Sequence, residues 1–285
     1  MAQVVLLALQ LSIVGLVFAI GLGTSRGDLV WLFRRPGLLL RSFVAVSVVM
    51  LAVAILLVRL MNLPHVVAVA LVAMALAPMP PILPRSMIMA GGEASFASGL
   101  LAVSGLLSLV WIPLALLLLE SAVGMRLGLS VSPIFRMVLI TILAPLVAGA
   151  IVARLFPGLA KALQKPVNLI ATLVLAIALV AVIFRGWHAI AAQVGDGAQL
   201  AGVLFAIVGL IVGHLLGGPS AEDRTVLALA CALRHPGIVV VVGRMTFPEE
   251  AQIGAAALLC LIGTFACALP YILWRKRLSA AQEIV

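Results

Sequence analysis

Two short stretches of this chain hold residues able to do chemistry inside otherwise apolar surroundings. One is Ala230-Cys231-Ala232-Leu233-Arg234-His235-Pro236-Gly237, and the other is Ala77-Pro78-Met79-Pro80-Pro81-Ile82-Leu83-Pro84-Arg85. The Arg234 guanidinium is a permanent cation whose planar fork matches a carboxylate. Its alternative role is to neutralise the C-terminal ends of broken helices, and the two roles are compatible. His235 titrates near neutral pH and can either couple a proton or cap a broken helix. Pro78, Pro80, Pro81, Pro84 and Pro236 lack an amide donor and clash with a preceding helical turn, so nearby backbone groups are left free. Arg85 is a second cation, placed to line a cavity or to reach toward the membrane surface. The candidate substrate-binding set is therefore Arg234, His235, Pro236, Pro78, Pro80, Pro81 and Arg85, and its chemistry is that of holding an anion. No His-Glu-x-x-His pair, no paired aspartates within an apolar run and no Ser/His constellation occurs, so neither an enzyme nor a cofactor is expected.

The segments that carry these residues are long and apolar. Of 285 residues, 65% are hydrophobic and 9% charged, with a mean hydropathy of +1.34. Soluble domains carry about 25% charged residues, so the chain reads as one polytopic membrane domain over residues 1–285. Hydropathy predicts nine spans, at about 3–22, 38–61, 65–90, 95–119, 133–155, 167–186, 198–217, 224–246 and 250–274. Leu29 to Arg35 and Leu159 to Gln164 read as short amphipathic pieces, closed by Pro36-Gly37 and by Lys165-Pro166. The proline stretches then fall in the third and eighth spans. Backbone left unpaired at membrane depth survives only where protein or a water-filled cavity covers it, so each break marks an internal site.

The net charge of +9 is expected to reflect cytoplasmic loops rather than nucleic acid, since no aromatic-interleaved basic patch occurs. Arg26, Arg34, Arg35, Arg41, Arg154, Lys161, Lys165, Arg224, Arg275, Lys276 and Arg277 fall on one side, and Arg59, Arg126, Arg136, Arg185 and Arg244 on the other. That bias puts the C-terminus in the cytoplasm and, with nine spans, the N-terminus outside, in a multi-pass protein of the cell (inner) membrane. Residues 1–22 lack a basic leader and read as a span rather than a cleaved signal. Cys231, Cys260 and Cys267 lack metal-ligand spacing and read as small buried hydrophobes. His214, on the apolar seventh span, reads as a packing histidine.

The breaks also suggest an internal repeat. Dividing the chain into four spans plus five puts the second break in the fourth span of its half. The first break matches if one N-terminal helix is missing. Halves of five spans have opposite topology, and discontinuous helices at equivalent places in inverted halves point to a transporter's binding site.

With these features in view, the chain resembles the bile acid:sodium symporter family. Phe18-Ala19-Ile20-Gly21-Leu22, Arg34-Arg35-Pro36, Leu60-Met61-Asn62-Leu63-Pro64, Ala90-Gly91-Gly92-Glu93, Val103-Ser104-Gly105-Leu106-Leu107-Ser108 and Arg224-Thr225-Val226-Leu227-Ala228-Leu229 are similar to its motifs. The resemblance implies a fold of nine helices with the first of ten absent. It also implies a core domain of spans 2–4 and 7–9, a panel domain of spans 1, 5 and 6, and alternating access between them. By the same resemblance the usual sodium ligands are replaced here at Leu83, Pro84 and Ala230, with further losses near Ala97, Leu101 and Val46, so no metal site is expected. The expected function is secondary transport of a small organic anion across the bilayer. Sodium is the family's default coupling ion, and the replaced ligands argue against it. A proton-coupled or uniport carrier of a small carboxylate is the alternative, and an intramembrane enzyme is the alternative of another class.

Overall fold

A computed structural model describes residues 2–23, 31–80, 82–122, 139–192, 195–234 and 251–282, together with residues 132 and 136. Every regular element among the described residues is helical. Helix α1 is Ala2–Gly23, α2 Pro36–Phe43, α3 Met50–Leu60, α4 His65–Leu76, α5 Leu83–Met89 and α6 Ala94–Ala122. Then follow α7 Ala144–Leu155, α8 Pro157–Ala192, α9 Ala198–Leu216, α10 Ala221–Ala232 and α11 Ala251–Gln282. Wider π-helical turns join α2 to α3 (Val44–Val49) and precede α7 (Leu139–Leu143).

Four described helices are long and apolar enough to cross a bilayer, at Pro36–Leu60, Pro157–Ala178, Ala198–Leu216 and Gln252–Ser279. A fifth is the bent pair Ala94–Ser108 and Val110–Leu119, which turns by 53°. Leu7–Gly23, His65–Leu76 and Leu139–Leu155 are shorter apolar helices. Large apolar side chains such as Leu169, Ile177 and Leu215 stand exposed along them. That surface suits acyl chains rather than water, and the protein is an integral, multi-pass membrane protein.

The helices sort into two packed groups. Helix α1 lies along α7 and α8, while α9 lies along α10 and α11, with α3, α4, α5 and the 44–49 turn completing the second group. Small residues set these distances. Gly21 and Gly149 bring α1 and α7 so close that a Cβ on Gly21 would stand 2.5 Å from the Leu146 carbonyl oxygen. On α9, Gly202 faces Cys260 backbone, Gly209 faces Cys231 and Ala232 backbone, and Gly213 faces Leu227 and Ala228 backbone. Without water to expel, membrane helices associate through such close packing. Between the groups, α6 meets the 139–143 turn and α8 meets α11.

Two local expectations give way. The amphipathic piece at Leu159 to Gln164 is not separate: α8 runs unbroken from Pro157 through Pro166 to Ala192. A proline inside a helix costs about 3 kcal/mol relative to alanine, and here the helical residues on both sides carry the helix through it. The stretch beyond the expected end of the ninth span, near residue 274, is also helical. Helix α11 continues through it, and Arg275 is buried, donating to the Thr225 hydroxyl at 2.7 Å and the Ala221 carbonyl at 2.9 Å.

Candidate functional site

The first break forms where the proline run predicts it. Helix α4 ends at Leu76, Ala77 turns to an extended backbone (φ −63°, ψ 139°), and helix resumes only at Leu83. Pro78 and Pro80 have no amide to return to the last turn of α4; the Ala77 N–H returns instead, to the Ala73 and Met74 carbonyls at 3.0 and 3.2 Å. Pro78, Met79 and Pro80 are all buried. The second break begins in the same manner. Ser220 caps α10 by accepting from the Asp223 amide at 3.3 Å, and the helix ends at Ala232 with Leu233 extended (φ −108°, ψ 129°). Arg234 follows on that extended backbone. His235, Pro236 and Pro81 lie outside the described residues.

Arg234 joins the two breaks. It is 2% exposed, and it is the largest fully buried side chain among the described residues. Nη1 donates to the Ala77 carbonyl at 3.3 Å, and Nη2 donates to the Val46 carbonyl. Ala77 sits where α4 stops, at the negative end of its dipole. Val46 sits in a π-helical turn closed by Met50 N–H to Ala45 O, five residues back. Such turns disturb the regular ladder and recur at functional sites. A buried charge at mid-membrane costs at least about 2.5–3.5 kcal/mol. Hydrogen bonds to a charged group return about 1.5–3 kcal/mol each, so two of them roughly balance the cost. Nε is buried and has no hydrogen-bond partner.

Beside Pro78, which follows Ala77, a small apolar cleft of about 10 Å³ lies between the helix groups. Pro78, Met79, Leu101 and Gly105 line it from one group, and Val17, Ile142 and Leu146 from the other. Gly105 makes the closest approach here, since a Cβ on it would stand 2.9 Å from Ile142 Cγ2. The positions that the family resemblance gives to sodium ligands are apolar and buried: Leu83, Ala97, Leu101, Val46 and Ala230 all belong to one continuous core, while Pro84 is half-buried. Among the described residues, no group of three or more His, Cys, Asp or Glu side chains could hold a metal ion. Arg85 is exposed on the short helix α5, six positions before the Gly91 turn. His214 does pack as expected, with Nδ1 3.2 Å from the Tyr271 hydroxyl.

Composition gave no hint of a second cluster, at one end of the bundle. Arg35 stacks over the Trp31 ring at 4.1 Å and reaches the Asp223 carboxylate at 3.8 Å, while Arg224 Nε donates to the Gly218 carbonyl at 2.6 Å. Trp31 stacks on Phe96 in turn, with centroids 5.8 Å apart. Burial lifts the Asp223 carboxyl above the ordinary carboxylate value; Arg35 pulls it down, and Glu93 and Glu222 add to the rise. The sequence signal was the spacing Ser220-Ala221-Glu222-Asp223 at a helix start, whose acid also answers an arginine at the α2 start.

Apolar helices whose ends meet on a buried cation define a polytopic membrane protein with an internal polar site. The family model described as the Sodium Bile acid symporter family matches residues 10–193, and the chain belongs to that family. The matched region includes the first break and ends before α9. No curated protein matches the chain significantly. Membership makes the chain a secondary transporter of the bile acid symporter type, in a family of carriers rather than enzymes.

Proposed function

We propose that the protein carries a small organic anion across the membrane by alternating access, binding it where the two helix breaks meet. The observation that carries this reading is Arg234: a buried guanidinium at the end of α10, bonded to the Ala77 carbonyl where α4 stops and to the Val46 carbonyl in the π-helical turn, with Nε left over as a donor. The spare donor suits a carboxylate, and the Pro78–Met79 wall suits an apolar body. His235, Pro236, Pro81 and Arg85 complete the proposed site, with Pro78 and Pro80 holding the crossover open.

In this reading the chain crosses nine times as an inverted repeat lacking its first helix. The panel is α1, α7 and α8, and the core is the remainder. The packing of α1 on α7 and α8, and of α9 on α10 and α11, supports that division. The N-terminus lies outside and the C-terminus in the cytoplasm of the cell (inner) membrane. The gathering of Arg35, Arg224 and Arg275 around the start of α10 supports one basic, cytoplasmic end.

The test is uptake by proteoliposomes of a panel of labelled organic anions, taurocholate and smaller aromatic and aliphatic carboxylates among them. Saturable uptake of at least one anion is expected, and Arg234→Met abolishes it while the variant still purifies as folded protein. Normal uptake by that variant, or no uptake of any anion by the wild type, contradicts the proposal.

A further inference from the structure

We propose that Arg234 is a resident, covalently held counter-cation that takes over the charge role of a coupling ion at the helix breaks, so that this protein binds no sodium there and moves its anion without sodium coupling. The inference rests on the transport reading above and concerns the energetics of the same site.

A sodium ion is a hard cation and needs several oxygen ligands at once. Two backbone carbonyls face Arg234: Ala77 O at the end of α4, and Val46 O in the π-helical turn between α2 and α3. Both already accept from Arg234. Among the described residues, the core side chains flanking the breaks supply no replacement. Ala230, Cys231, Ala232, Met79, Ala97 and Leu101 are apolar or weakly polar and buried. The hydroxyls of Ser104 and Ser108 on α6 turn back on their own helix, donating to the Leu101 carbonyl at 3.0 Å and the Gly105 carbonyl at 2.7 Å.

Charge gives the same answer. The buried charged residues among those described are Asp223, Arg234 and Arg275. Asp223 and Arg275 sit at the start of α10, and Arg234 follows the far end of that helix. No buried carboxylate among the described residues therefore stands at the breaks to hold a second cation beside the first. Two like charges a few ångströms apart in a low-dielectric interior repel strongly, and a guanidinium does not lose its proton to make room.

Geometry separates the two functions of this side chain. The two Nη groups hold the broken elements together as a bound ion would, and Nε remains for the anion. A tethered cation cannot leave with the substrate. It can neutralise the anion in every state of the cycle, yet it delivers no energy from an ion gradient. The driving force is then something other than a sodium gradient.

The test uses the full chain, purified in detergent, and does not depend on knowing the substrate. Binding of radioactive 22Na+ and the thermal unfolding midpoint are measured with sodium chloride replacing choline chloride at constant ionic strength. The wild type shows no saturable 22Na+ binding and no sodium-specific rise in midpoint; either one overturns the inference. Arg234→Lys and Arg234→Gln separate charge from hydrogen bonding: the midpoint falls in the order wild type, Lys, Gln. A Gln variant as stable as the Lys variant shows that charge is not what the site uses, and also overturns it. Sodium binding by the wild type leaves the transport reading standing, whereas failure to carry any anion counts against that reading alone.

Discussion

Where α9 meets α10 and α11, backbone touches backbone; where α6 meets the 139–143 turn, Gly105 faces a side chain, Ile142, instead. Gly202, Gly209, Gly213 and Gly263 leave no room for a Cβ at the first kind of contact, and Gly21 and Gly149 repeat that pattern between α1 and α7. The second kind of contact borders a cleft. Helices locked backbone to backbone move as one body, because packed interiors do not deform continuously. A side-chain contact beside a cleft can part and reform at small cost. In the alternating-access reading proposed above, the contrast separates the contacts that stay rigid from the one that slides.

The strongest way to break this contrast is to place a side chain in a rigid contact. Gly202→Val puts branched carbon against the Cys260 carbonyl. Overpacking against backbone is expected to cost at least about 3 kcal/mol, seen as loss of folded yield and a lower unfolding midpoint in detergent. Near-native stability for this variant would mean that α9 and α11 are not locked. Gly105→Leu loads the sliding contact instead. Its stability cost stays within about 1–3 kcal/mol, since Ile142 and the cleft can absorb volume, but uptake in proteoliposomes is lost. Unchanged uptake contradicts the assignment of that contact.

Much of this arrangement is readable from the sequence, for physical reasons that can be named. The first break is legible because Pro78 and Pro80 cannot donate, whatever surrounds them. Arg234 is legible because a lone cation in an apolar run is costly. Its partners are not, since Ala77 and Val46 contribute carbonyls, and backbone carbonyls carry no side-chain signature. The π-helical turn at Val44–Val49 is hidden for the same reason: nothing in Val-Ala-Val-Ser-Val-Val distinguishes it from ordinary helix. Pro166 misleads because a proline signals a boundary by default, yet α8 continues through it. Arg275 is buried while its neighbours Lys276 and Arg277 are exposed, and nothing in the run Arg-Lys-Arg singles it out.

Smaller effects sharpen the picture at the basic end. Ser220→Ala removes the cap of α10 and is expected to cost about 1 kcal/mol, read as a modest drop in midpoint with uptake retained. Loss of uptake would tie that helix start to transport. Asp223→Asn has the smallest effect, and it depends on pH. Burial holds the folded-state carboxyl above its ordinary value, so the folded protein binds the proton more tightly than the unfolded chain. The contribution of such a group is full below its unfolded value and is lost as pH rises through the folded one. The wild-type midpoint, taken relative to Asp223→Asn, therefore falls as pH rises from the carboxylate range toward neutral. A difference that does not change with pH contradicts the buried-acid assignment.

Movement between the helix groups is tested most directly by two engineered disulfides. In a background with Cys231, Cys260 and Cys267 replaced by serine, Gly105→Cys with Ile142→Cys bridges the two groups. Gly15→Cys with Ala171→Cys bridges α1 and α8 within one group, where a Cβ on Gly15 would stand 3.0 Å from Ala171 Cβ. Paired cysteine Cβ atoms bridge at about 3.5–4.5 Å, so the 15–171 pair needs a relaxation of about 0.5 Å to close. Oxidation of the 105–142 pair is predicted to stop uptake of the transported anion and reduction to restore it, while the 15–171 bridge leaves uptake intact. Full transport with the 105–142 bridge closed would contradict the account.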